Sequence, residues 1–234
     1  MGSFANMESI HQHAYSLLLD TVGLPEIEYK AFSEYEEMAG KHDYVKDFKP
    51  TLNNKKSIAK TLAVYSAFTE GLQLFSSFAI LLNFPRFGKM KGMGQIVTYS
   101  IRDESLHVEA MTRLFKEFIQ ENLDIWTDDF KKEIYQICRE MVKLEDKFLD
   151  LVFAMGDIQG LTKKDMYAYN RYIADRRLLQ LGLKTNFKQK ENPLGWLDEV
   201  MGIEHQNFFE GRATAYMKAG LRGDSGKLIF RDIE

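Results

Sequence analysis

The chain has 234 residues, 45% hydrophobic, 28% charged and 13% aromatic, with a formal net charge of -3. That length buries a sizeable core without help from disulfides or metal, and the charge gives no reason to expect nucleic acid or an anionic membrane as partner. Cys138 is the only cysteine, so no internal disulfide forms, and no basic-then-apolar leader follows Met1; the expected location is cytoplasmic.

Four prolines and few alternating stretches make helix the expected class. Phe4, Met7, Ile10 or His11, Ala14 and Leu18 recur at helical spacing and predict a first helix that ends near Val22-Gly23-Leu24-Pro25. A second is expected from Pro25 to Lys41, opened by its proline, then a polar loop from His42 to Asn54. A long helix should run from Lys55 to Phe84 and stop at Pro85. Its apolar stretch from Leu74 to Phe84 is broken by Ser76, Ser77 and Asn83 and is too short to span a bilayer. Gly88, Gly92 and Gly94 mark a turn before a helix from Gly94 to Glu121.

From Asp128 to Met155 an amphipathic pattern places Phe130, Ile134, Ile137, Met141, Leu144, Phe148 and Leu151 on one stripe. Thr162 and Asp165 resemble a capping box, with Leu161 and Met166 as its hydrophobic staple, for a helix that ends at Leu181 before Gly182. Pro193 and Gly195 precede a short helical segment from Leu197 to Glu210. The expected organisation is one all-α domain over residues 1–215 and a C-terminal tail over 216–234.

Two helices carry the same step. Glu8-Ser9-Ile10-His11 and Glu104-Ser105-Leu106-His107 each put a carboxylate and an imidazole on one face, because residues three apart are neighbours on a helix. Glu70 sits in the apolar run Ala67-Phe68-Thr69-Glu70-Gly71-Leu72, where a lone carboxylate is neutralised, paired or bound to metal. Taken singly, a Glu-x-x-His is usually a solvated helical pair and Glu70 a salt-bridge partner. Three apolar helices that each point acid or imidazole inward favour a metal site, and this donor set suits iron or manganese better than calcium or zinc-thiolate. Tyr15 lies four residues after His11, on the same face.

A Glu-x-x-His, then a lone Glu, then Arg102-Asp103-Glu104-Ser105-Leu106-His107 resembles the small (β) subunit of class I ribonucleotide reductase. The resemblance extends through Ser66 to Phe78, Ser100 to His107, Tyr172 to Leu178 and Glu204 to Tyr216. It implies a ferritin-like helical bundle around a dinuclear iron, manganese or mixed manganese/iron centre. By that likeness Glu8 and Glu104 bridge the two metals, His11 binds one, and Glu70 and His107 complete the other. Tyr15 takes the place of the family's stable tyrosyl radical, formed with O2 as oxidant, and Phe78 helps to wall it off. Asp103 holds His11 and belongs to the outward radical path, while Tyr216 matches the tail tyrosine that hands the radical on. The segment from Ile229 to Glu234 is a candidate docking peptide.

The implied function is radical supply for deoxyribonucleotide synthesis, with the large catalytic subunit as partner and a homodimer as the assembly. Such centres take a lone carboxylate from each of two helices, and Glu70 is one of them. An N-terminal fragment is therefore expected to supply the other, as in a split or truncated subunit; the family's buried N-terminal tryptophan would also lie there, since Trp126 and Trp196 fall elsewhere. Leu74 stands where the family commonly has phenylalanine and Ser100 where it has an aliphatic residue, so the Tyr15 pocket is less apolar than usual. The alternative is another ferritin-like dimetal oxidase, acting on a small organic substrate.

Overall fold

The computed structural model describes residues 2–23 and 30–200, and the helical body is the compact unit Met1–Leu197. Among the described residues its helices include α1 (Gly2–Val22), α2 (Ala31–Glu34), α3 (Glu36–Lys46), α4 (Lys55–Ala63), α5 (Leu74–Arg86), α6 (Lys91–Glu121), α7 (Asp128–Val152) and α8 (Lys163–Gln180). Among the described residues there is no strand, only an isolated bridge between Ile158 and Leu161. No helix among them is long and apolar enough to cross a membrane. The body is thus an all-α bundle in which α6, the α4–α5 rod, α7 and α8 pack around Phe68, Leu72, Phe115, Phe130, Met141 and Leu178. Burying each such side chain contributes roughly 1.5–3 kcal/mol.

Local chemistry explains several helix ends. Thr127 caps α7 by accepting from the Phe130 N–H, ahead of Asp128 and Asp129 at the positive end of the helix dipole. Thr162 and Asp165 form the capping box of α8 reciprocally, at 3.1 and 3.2 Å, with Leu161 and Met166 both buried beside it. Gly182 follows α8 with φ +80°.

Three expectations change. The second helix is divided at Tyr35, and its latter half runs on to Lys46, so the loop begins later than His42. Its half-buried face carries Lys41, Tyr44 and Val45, an amphipathic pattern hidden in a mostly polar stretch. Pro85 does not stop α5 but sits in its last turn, and α6 starts at Lys91 so that Gly94 lies within it. A Cβ on Gly94 would fall 2.2 Å from Pro85 Cγ, so the glycine lets the proline ring close the α5–α6 corner. On α7 the stripe holds through Met141, after which Leu144, Phe148 and Leu151 are half-buried and the buried line passes through Glu145 and Leu149. Residues 195–200 are helical, while the remainder of the expected Leu197–Glu210 segment, the 215/216 boundary, Tyr216 and the Ile229–Glu234 peptide lie outside the described residues.

Glu145 is fully buried and its Oε2 lies 2.6 Å from Lys41 Nζ, which in turn sits 4.2 Å above the Phe148 ring. Burial raises the Glu145 carboxyl above its usual range, and the Lys41 ammonium pulls against that shift. Removing one partner of a buried pair strands the other. Lys41→Met is therefore expected to lower stability by about 3 kcal/mol in urea unfolding, and Lys41→Met with Glu145→Leu to recover most of the loss.

Candidate metal centre

Helices α1 and α6 lie side by side and antiparallel, and their facing side chains meet in a ladder. Glu8 meets His107, His11 meets Asp103 and Glu104, and Tyr15 meets Ser100. The spacings Glu8–His11–Tyr15 and Ser100–Glu104–His107 repeat at three and four residues, so one helical stripe on each element brings all three rungs to the same seam.

The acid oxygens are shared between the two imidazoles. His107 Nδ1 lies 3.1 Å from Glu8 Oε1 and 3.4 Å from Glu104 Oε2, while His11 Nδ1 lies 3.2 Å from Glu104 Oε1 and 3.9 Å from Glu8 Oε2. Each carboxylate therefore offers one oxygen to each histidine. Glu8, Glu104 and His107 bring ligand atoms within 4.8 Å of one another, close enough to share one cation.

Histidine tautomers sharpen this. A carboxylate only accepts, so the 3.3 Å contact between His11 Nε2 and Asp103 Oδ2 puts the proton on Nε2. The Nδ1 lone pair then faces the Glu104 oxygen, acceptor against acceptor, an arrangement that calls for a proton or a cation between them. Asp103 is also 3.4 Å from Arg102 Nη2, so it has partners on both sides. Phe4 lies across His107 with ring centroids 4.3 Å apart and shields it from above.

Glu70 comes from the third element. Between α4 and α5 the chain is wound as a π-helix over Val64–Gln73, which no 3.6-residue periodicity could reveal. Arg177 of α8 adds a side-chain bond to this segment: its Nε donates to the Gly71 carbonyl at 2.7 Å. A Cβ on Gly71 would lie 2.6 Å from that nitrogen, so the glycine beside Glu70 is what admits the guanidinium. Arg177 also stacks over Phe75, 4.6 Å from its centroid, and was not singled out from the sequence as a support of the site.

Electrostatics follow from this crowding. Burial, then the neighbouring Glu8, pushes Glu70 up to about 7. Burial followed by Glu8, Glu70 and Asp103 pushes Glu104 up to about 8. Burial lowers His107, and Glu8 opposes that shift. Glu70 Oε2, Glu104 Oε2 and His107 Nε2 are buried with no hydrogen-bond partner. Orphaned acid oxygens beside convergent imidazoles fit a divalent cation, with oxygen and nitrogen donors suited to iron or manganese.

Tyr15, beyond the His11 rung, donates from its hydroxyl to Ser100 Oγ at 3.0 Å. Burial raises its phenol, the Ser100 hydrogen bond lowers it and Glu104 raises it again, for a net rise. Phe78 is buried and packs edge-on to Phe75 at 6.1 Å, while Leu74 is half-buried. Trp126 packs between Phe115 and Phe130, and Trp196 lies under Arg86, both apart from the seam.

Comparison with known proteins agrees with this architecture. Residues 1–193 match the family model described as ribonucleotide reductase, small chain. The probable ribonucleoside-diphosphate reductase small subunit 376L of Invertebrate iridescent virus 6 is 43% identical over 95% of this chain and 72% of its own length. Its counterpart 048L of Invertebrate iridescent virus 3 is 40% identical over 95% of this chain, which spans 64% of that relative. Among solved structures, the ribonucleotide reductase R2 subunit from Clostridium botulinum superposes with a TM-score of 0.76 at 26% identity, over 83% of this chain and 63% of that one. The chain belongs to the small-chain family of ribonucleotide reductases.

Proposed function

We propose that this chain generates a tyrosyl radical at Tyr15 and passes it to a large catalytic subunit that reduces ribonucleoside diphosphates. The observation that carries this reading is the shared set of carboxylate oxygens: two imidazole nitrogens, each facing one oxygen of Glu8 and one of Glu104, make two adjoining half-sites. Glu8 and Glu104, shared between the two half-sites, would hold the metal pair together with His11 on one side and His107 and Glu70 on the other. A dinuclear iron, manganese or mixed centre held there supplies, with O2, the oxidising equivalent.

The protein's own groups set the conditions for that chemistry. Asp103 fixes the His11 tautomer and keeps Nδ1 free to bind, and it is the first step of an outward path from the centre. Tyr15 is within one helical turn of His11 yet has only a hydroxyl for its polar contact, so its oxygen is near the centre without being a ligand. Tyr216 carries the radical to the large subunit and the Ile229–Glu234 peptide docks there, with two copies of the chain forming the working assembly.

Glu8 keeps 49% of its side-chain exposure although its oxygens face two histidines, so the wall of the centre is thin on that side. A carboxylate from an N-terminal fragment is proposed to cover it and complete the four-helix ligand set. Metal analysis of the chain alone is then expected to give less than full dinuclear occupancy, rising when the fragment is added; full occupancy without it counts against the fragment.

Protons hold the place of metal. Glu70 and Glu104 bind protons more tightly folded than unfolded, since they rise from an ordinary 4.5 to about 7 and about 8. Their contribution to metal-free stability is complete below about pH 4.5 and is lost as pH climbs through 7 and 8. Calorimetry should show the metal-free melting temperature falling from pH 5 to pH 8. Uptake of Fe(II) or Mn(II) should release protons, and its affinity should rise about tenfold per pH unit for each proton displaced.

After loading with metal and O2, electron paramagnetic resonance should reveal a tyrosyl signal that Tyr15→Phe abolishes while metal content is unchanged. A tyrosyl signal that survives Tyr15→Phe would place the radical elsewhere.

A further inference from the structure

Ser100 is buried on α6, one turn before Glu104, and its oxygen accepts the hydrogen bond from the Tyr15 hydroxyl. Its own proton goes to the Ile96 carbonyl at 3.1 Å, the back-bond common to helical serines. A serine hydroxyl is both donor and acceptor and turns freely about its Cβ–Oγ bond. The Ile96 carbonyl also serves the α6 backbone ladder, so it is not left without a partner if the hydroxyl swings away. An aliphatic side chain at this position would offer the phenol neither role.

Oxidation of Tyr15 removes one electron and the phenolic proton, and with dioxygen as oxidant both end on oxygen reduced towards water. The remaining oxygen has no proton to give and can only accept a hydrogen bond. We propose that Ser100 is a two-state partner of Tyr15: its hydroxyl accepts from the phenol and, once that proton has left, turns from Ile96 to donate to the Tyr15 oxygen. This deepens the radical reading and rests on it. The donated bond stabilises the oxidised side chain against reduction and holds its oxygen on the Ser100 side of the seam. The pocket thus compensates for its lower apolarity by offering a specific donor.

Two measurements test the two states. In the metal-free chain, ultraviolet resonance Raman spectra referenced to Tyr15→Phe isolate the Tyr15 phenol band. Ser100→Ala is expected to shift it to that of a phenol that does not donate to Ser100, whereas Ser100→Thr leaves it in place. In the metal-loaded, oxygen-treated protein, electron–nuclear double resonance after exchange into deuterated water is expected to show a deuteron coupled to the radical. That coupling should vanish in Ser100→Ala and persist in Ser100→Thr. A tyrosyl radical with no exchangeable coupling in the unsubstituted protein, or one whose coupling survives Ser100→Ala, overturns the inference and leaves the radical reading standing. Absence of any tyrosyl signal from the unsubstituted, metal-bound protein overturns the radical reading and the donor state together. A Raman band unmoved by Ser100→Ala overturns the acceptor state.

Discussion

Acidic oxygens and imidazole lone pairs meet in this bundle without enough protons to separate them, and that frustration governs the site. Two unit charges of like sign 4 Å apart repel by about 4 kcal/mol at an effective dielectric of 20. Burial and Glu8 act on Glu70, and burial, Glu8, Glu70 and Asp103 act on Glu104, so that both acids hold protons near neutrality. A fold that pays this cost in its own interior is poised for something to replace the protons. A divalent cation among these groups would do so while also satisfying the orphaned Glu70 and Glu104 oxygens.

The surrounding structure exists to keep those groups from escaping each other. Glu70 cannot swing out easily because it rides on a π-helical segment fixed by Arg177 through the Gly71 carbonyl. Arg177 is held in turn by Phe75 and by Gln180, whose Oε1 accepts from Nη1 at 2.8 Å. Two stretches far apart in sequence, Ser66 to Phe78 and Tyr172 to Leu178, are thereby one mechanical unit. Its neighbour Asp175 accepts backbone N–H bonds from Asn186, Phe187 and Gln189 and ties the segment after α8 to the same helix. Arg177 thus braces the Glu70 segment from behind, while Asp175 anchors the chain after α8 to the same helix.

What the sequence disclosed, and what it hid, divides along physical lines. Helical spacing fixed the faces of α1 and α6, and with them Glu8, His11, Glu104 and His107, because any two residues three or four apart on a helix share a side. Capping chemistry at Thr162 and Asp165 is equally local and was equally legible. The π-helix was not, since inserting a residue into a helical turn changes no residue type in the pattern. Glu145 escaped because a charge is read as solvent-facing, and its partner Lys41 sits on a helix whose extent was masked by the polar stretch after it. Ser100 was expected to make the Tyr15 pocket less apolar, yet only the structure reveals that its hydroxyl meets the Tyr15 oxygen.

The antiparallel register of α1 and α6 binds the carboxylate–imidazole seam and the tyrosine pocket into one object. Each rung pairs residues whose numbers fall together as one helix rises and the other descends: Glu8 with His107, His11 with Glu104, Tyr15 with Ser100. Sliding one helix by a turn would undo all three rungs at once, so neither pocket can be retuned by backbone movement alone. Each pocket's character is therefore set by its side chains, and at the third rung by a serine. Ser100 sets the polarity around the Tyr15 oxygen while the first two rungs, and the carboxylates shared between them, stay where the register puts them.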